Sequence, residues 1–189
     1  TVISDPAMSK LIDKNSFELA SLQVSKTAIY WLMVAIPATI GSFLLGGPFL
    51  SIYITPQMGV NAGPVLWVMF LGACFFGLFI IYSVVLFAGY RTDRLLQISI
   101  LASVLNLSLN ITLMYFYGDI ITAAIVTSLV NCIMFILVYY FSGKILDLYF
   151  DVRELSKIIT GGAFAGFMVY LTMLSLTVDL ALGVICLLI

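Results

Sequence analysis

The chain has no histidine, and charged residues make up only 9% of its 189 positions. A soluble domain carries nearer ~25% charged residues, so a water-facing surface cannot be built from this composition. No Asp or Glu falls in the middle of an apolar run. A buried carboxylate is the usual relay of a proton- or cation-coupled transporter, and this segment offers none. Without histidine or paired carboxylates there is no general acid–base set either, so an enzyme is not expected. No Gly-rich phosphate loop follows a strand pattern. The three cysteines, Cys74, Cys132 and Cys186, all lie inside apolar runs without metal-ligand spacing. They read as small hydrophobes, so neither a metal nor a cofactor is expected. The bases are few and sit in short connections, which excludes a nucleic-acid surface.

What is present is apolar residue, 63% of the chain. The runs are long enough for helices in lipid, and about 20 apolar residues cross a bilayer. Their periodicity is helical, not the alternation of a membrane barrel. The expected fold is all-α: a polytopic transmembrane bundle with spans at about 16–45, 62–89, 93–117, 120–142, 152–177 and 180–189. The last run is too short to cross. That run and an opening at Thr1 suggest a single helical lobe cut from a longer chain.

All eight Lys and Arg residues sort to one side of those spans. The apolar cores of the spans are roughly 27–45, 64–88, 95–117, 120–141, 158–178 and 180–189; Lys10, Lys14 and Lys26 precede the first, Arg91 and Arg94 lie between the second and third, and Lys144, Arg153 and Lys157 between the fourth and fifth. The opposite connections hold only Asp119 and Asp179. Basic loops stay in the cytoplasm, so the N-terminal segment is expected inside a multi-pass protein of the cell membrane.

Local signals place the helix ends. Asn15-Ser-Phe-Glu18 and Asp151-Val-Arg-Glu154 have capping-box spacing. Pro37, in mid-span, predicts a kink and is the hinge candidate. Gly46-Gly47-Pro48 is expected to end the first helix, leaving 49–54 at the outer interface. Asn61 and Pro64 fit the start of the second. Gly143 is a plausible C-cap for the fourth.

Polar residues inside the spans fall in register. Ser99, Ser103, Asn106 and Asn110 recur at spacings of four, three and four, which puts them on one helix face. Thr127 and Asn131 do the same on the next helix. Two readings stand: hydrogen-bonded glue between helices, or the lining of a water-filled cavity. Lys26 either snorkels to headgroups or draws an anionic group into that cavity. Gly162 and Gly166 form a GxxxG that lets another helix approach closely.

At the third and fourth spans the pattern becomes familiar. The turn Gly89-Tyr-Arg-Thr-Asp-Arg94 leads into Asn106-Leu-Ser-Leu-Asn110, then Tyr117-Gly118 and Ala123-Ala124-Ile-Val-Thr127. This resembles the C-terminal half of the Wzx-like polysaccharide-biosynthesis flippases of the MOP exporter superfamily, over about residues 16–176. Tyr115 or Phe116 stands where the family has a proline, Thr122 where it has a glycine, and Asp119 looks like an insertion. The resemblance implies one six-helix lobe of two that flank a cavity and rock between inward and outward states. It implies a lipid-linked oligosaccharide as cargo, with the bilayer and a missing N-terminal lobe of the same protein as partners. Asn110, Asn106, Ser103, Ser99, Asn131 and Lys26 are then the cavity candidates. A multidrug or cation antiporter of the same superfamily, or a non-transporting membrane scaffold, are the alternatives.

Overall fold

The computed structural model describes residues 16–53, 55–147 and 156–172. Both capping-box readings, the run at 180–189 and Cys186 lie wholly or partly outside them. Four long helices follow in order: α1 (Phe17–Tyr53), α2 (Pro56–Ala88), α3 (Thr92–Tyr117) and α4 (Ile120–Ser142). A fifth, α5, covers 156–172. Each of the first four contains a stretch long and apolar enough to cross a membrane.

The helices form a row. α1 packs along α2, α2 along α4, and α4 along α3. α5 sets Gly162 and Gly166 on another side of α1, against Ile36, Pro37 and Ile40. The main core lies where α1, α2 and α4 meet, around Val24, Ala28, Leu32, Leu78, Tyr82, Leu86 and Val138. A second cluster, centred on Ala102, Val126 and Val130, joins α3 to α4. Many large apolar side chains stay exposed, Val34, Ile52, Leu107 and Ile120 among them. In water such a surface would aggregate; in lipid it costs nothing.

The first helix runs further than its sequence suggests. Gly46-Gly47-Pro48 does not end it, and 49–53 continue as helix. The glycines serve a crossing instead. A Cβ on Gly63 of α2 would lie 2.8 Å from the Gly47 backbone nitrogen, and one on Gly46 would lie 3.2 Å from the Gly63 carbonyl oxygen. Two backbones in contact exclude lipid, and staying helical satisfies their amides where water is absent. Pro48 gives up only one helical hydrogen bond. α2 likewise starts earlier than expected, with Pro56 in its first turn, where a missing N–H costs nothing. At about 1.5 Å per residue, α1 is roughly 55 Å long, well beyond a hydrocarbon core of about 30 Å.

Two short turns close the other hairpins. Gly118 caps α3 in the left-handed region, with φ of 67°, and donates its N–H to the Met114 carbonyl at 3.0 Å. Tyr90 takes the same region, φ 57°, between α2 and α3. Gly143 caps α4, its N–H on the Tyr139 carbonyl at 2.9 Å.

Candidate functional site

The α2 backbone is the hub of the polar contacts. Trp31 Nε1 of α1 donates to the Cys74 carbonyl at 3.0 Å. From α4, Ser128 Oγ donates to the Val68 carbonyl at 2.6 Å, Asn131 Nδ2 to the Gly72 carbonyl at 3.2 Å, and Ser142 Oγ to the Tyr82 carbonyl at 3.0 Å. Glycines make room for the donors. A Cβ on Gly72 would lie 2.5 Å from Ser128 Oγ, and one on Gly77 would overlap the Trp31 ring. Asn131 therefore spends its amide donor on holding α4 to α2.

The α3 stripe behaves differently. Ser99 Oγ donates to the Leu95 carbonyl at 3.0 Å and Ser103 Oγ to the Ser99 carbonyl at 2.9 Å. Asn110 Nδ2 reaches the Asn106 backbone oxygen at 2.9 Å and its Oδ1 at 2.8 Å. Each of these bonds folds back along α3 itself. Asn110 Oδ1 is buried and has no hydrogen-bond partner among the described residues.

Where the stripe points follows from the packing. α3 meets α4 along Ala102, Leu105, Leu109 and Leu113. At 100° per residue, the stripe sits roughly a quarter turn clockwise from that edge, viewed from the N-terminus. On α4, Thr127 lies clockwise from Val126, Val130 and Met134, which face α3. The two helices are antiparallel, so equal rotations turn both sets to the same side of the row. Depth agrees as well. Asn110 stands seven residues before Tyr117 and Thr127 seven after Ile120; Asn106 and Asn131 stand eleven from the same ends.

Two hollows open on one side of α2. One, of about 380 Å³, has Met69, Gly72, Ala73 and Phe76 on one wall and Ala123, Thr127 and Asn131 on the other. The larger, of about 770 Å³, lies between α1 and α2. Gln23, Lys26, Thr27 and Tyr30 supply its polar wall, and Ile80, Ile81 and Val84 the apolar one. Met69, Ala73, Phe76 and Ile80 recur at four, three and four, so both hollows share one face of α2. By the same rotation, that face is the one toward which Thr127 and the α3 stripe turn.

The sequence candidates thus gather on one side of the row. Thr127 and Ser103 are exposed, and Ser99, Asn106 and Asn110 half-buried. Lys26 is exposed and sits beside Val84, toward the end of α2 that leads to Arg91. Pro37 and the GxxxG pair are apart from this face, at the α1–α5 contact. Gln23 and Thr27 carry no reading from sequence, and Tyr30 reads there only as part of an interfacial aromatic belt with Trp31. The spacing of four and three from Gln23 through Thr27 to Tyr30, around Lys26, was a helical-face signal in plain sight. Chemically, the face offers hydroxyls and amides in a row and one ammonium near one end.

No curated protein matches the chain. No solved structure matches it. A family match does cover residues 3–189, and its description is MurJ: Lipid II flippase MurJ. It keeps the lipid-linked flippase part of the resemblance without singling out the Wzx-like branch. With apolar helices fit for spanning and nearly the whole chain matched, this multi-pass membrane protein belongs to the lipid II flippase MurJ family of lipid-linked precursor transporters.

Proposed function

We propose that this chain is one lobe of a two-lobe transporter that moves a polyprenyl-linked glycan precursor, lipid II first among them, from the cytoplasmic to the outer leaflet. The observation that carries this reading is the shared polar face. Among the described residues the α3 stripe bonds only along its own helix, so the Asn106 side-chain N–H groups and the hydroxyl lone pairs of Ser99 and Ser103 remain for water or a solute. A sugar headgroup exchanges water for hydroxyls and amides at little cost, whereas bare hydrocarbon would charge it several kcal/mol per polar group, of order 2–7. The polyprenyl chain needs no such path, because it stays in lipid throughout.

Lys26 is the group for the pyrophosphate. Its ammonium ends the α1–α2 hollow on the basic side, and basic connections favour the cytoplasm. Cargo entering there meets a cation first and the amide rows deeper. Pro37 lets α1 bend as the lobe rocks, and α5 packs on that point through Gly162 and Gly166. The facing lobe completes the cavity.

The test uses the full-length protein in vesicles loaded with lipid II or with a longer lipid-linked polysaccharide repeat, each carrying a fluorescent headgroup. Faster appearance of lipid II in the outer leaflet is expected, with Lys26→Gln slowing it. Faster movement of the polysaccharide repeat would reassign the cargo. Drug efflux with no lipid movement would replace the reading with an antiporter.

A further inference from the structure

A second charged site lies at one end of the row, off the face just described. Where α2 turns into α3 and α4 ends, Arg91, Arg94 and Lys144 surround a pocket of about 230 Å³, walled by Leu86, Phe141 and Ile145. All three cations are exposed. Aromatic rings hold two of them in place. The Lys144 ammonium sits 4.4 Å from the Tyr140 ring centre and 5.4 Å from that of Phe141; the Arg94 guanidinium lies 5.7 Å from Phe141. Arg94 also contacts Asp93 at 3.7 Å and donates to Gln97 Oε1 at 3.1 Å. Among the described residues, Asp93 is the one carboxylate in contact with the group, so three positive charges meet one negative charge there.

We propose that this pocket binds the phosphate of an anionic phospholipid headgroup. Ring faces orient the cations without neutralising them, and a guanidinium suits a phosphate because it donates in pairs. The apolar wall of Leu86 and Ile145 then meets the start of the acyl chains. The position fits as well: α2, α3 and α4 reach their ends together here, at headgroup depth, where basic pockets between spans meet anionic lipid. A free phosphate would satisfy the charges and leave that wall bare. The site stands apart from the transport reading, and its test needs no transport.

The measurement is the unfolding midpoint of the full-length protein in detergent. It is titrated with short-chain phosphatidylglycerol, with phosphatidylcholine of the same chains, or with inorganic pyrophosphate. Phosphatidylglycerol should raise the midpoint at concentrations where phosphatidylcholine does not. Changing Arg91, Arg94 and Lys144 together to Gln should weaken its half-saturation about 100-fold, roughly fivefold per cation. The midpoint in phosphatidylcholine should not move, and Lys144→Arg should keep the affinity. Arg91→Gln alone, which disturbs no ring contact, should still weaken binding about fivefold. Unchanged phosphatidylglycerol affinity in either Gln variant would overturn the proposal. Equal stabilisation by pyrophosphate would overturn the lipid assignment and leave a soluble phosphate as the ligand.

Discussion

Asn110 donates both to the Asn106 backbone oxygen and to its side-chain oxygen, at 2.9 and 2.8 Å, while its own Oδ1 is buried with no partner among the described residues. Asn131, at the same depth as Asn106 on the neighbouring helix, instead bonds across to the Gly72 carbonyl. The two amides therefore answer to different forces, and their leucine variants should separate. Asn110→Leu removes a buried unsatisfied acceptor together with both bonds to Asn106, so stability should change by no more than about 1 kcal/mol, while transport per folded molecule falls because the Asn106 amide loses its anchor. Asn131→Leu should lower stability by about 0.6–2 kcal/mol and reduce transport only as abundance falls. Vesicle transport normalised to folded protein, beside detergent melting, reads both. Normal transport per molecule in Asn110→Leu would remove the stripe from the cavity.

Gly72 and Ser128 form the tightest notch between α2 and α4. Gly72→Ala places a methyl 2.5 Å from Ser128 Oγ and 2.9 Å from its Cα. The second contact is backbone-bound and cannot swing away, so Ser128→Ala should rescue only part of the loss. A cost of about 1–3 kcal/mol is expected from such overpacking. Full rescue in the double variant would mean that α4 shifts more freely than this contact implies.

The α5 contact has the opposite character. A methyl at Gly166 would meet Ile40 Cγ2 at 2.5 Å, with Leu44 Cδ1 at 3.4 Å, and these are side-chain ends. Gly166→Ala should destabilise the protein, and Ile40→Ala added to it should restore most of that loss. The double-mutant coupling should be about 0.5–3 kcal/mol in the favourable sense. Additive losses would mean that α5 does not rest on Ile40.

Orientation is checked with single cysteines in a background lacking the native three. Asp119 and Lys144 are exposed at opposite ends of α4, whereas Ser142 is fully buried and would not report. An impermeant thiol reagent applied to intact cells should label a cysteine at 119 and spare one at 144. The reverse pattern would invert the topology and move Arg91, Arg94 and Lys144 outside.

Gly118 supplies a purely local test. Its φ of 67° is costly for a residue with a Cβ, and open space surrounds it. Gly118→Ala should therefore cost about 1–2 kcal/mol through backbone strain alone. Gly118→Asn should cost less, because asparagine tolerates this region. Equal melting temperatures for the wild type and the alanine variant would show that the α3–α4 turn relaxes.

What the sequence determined by itself is what depends on a short stretch of chain. Hydropathy set the solvent as lipid and the elements as helices, because an apolar run in a bilayer must satisfy its own amides. Helical spacing aligned Ser99, Ser103, Asn106 and Asn110, because 3.6 residues per turn is a local rule. Gly46-Gly47-Pro48 misled for the same reason: its composition spells a helix end, and only Gly63 on the next helix turns it into a crossing. Tertiary structure alone decided which stripes face one another. Nothing in residues 99–110 tells which way the stripe turns relative to Lys26 or Thr127. Those directions come from the Gly72 and Gly77 notches and the carbonyls of α2 that Trp31, Ser128 and Ser142 occupy. Between helices in lipid there is no hydrophobic force to choose a rotation, so close packing and these few hydrogen bonds choose it.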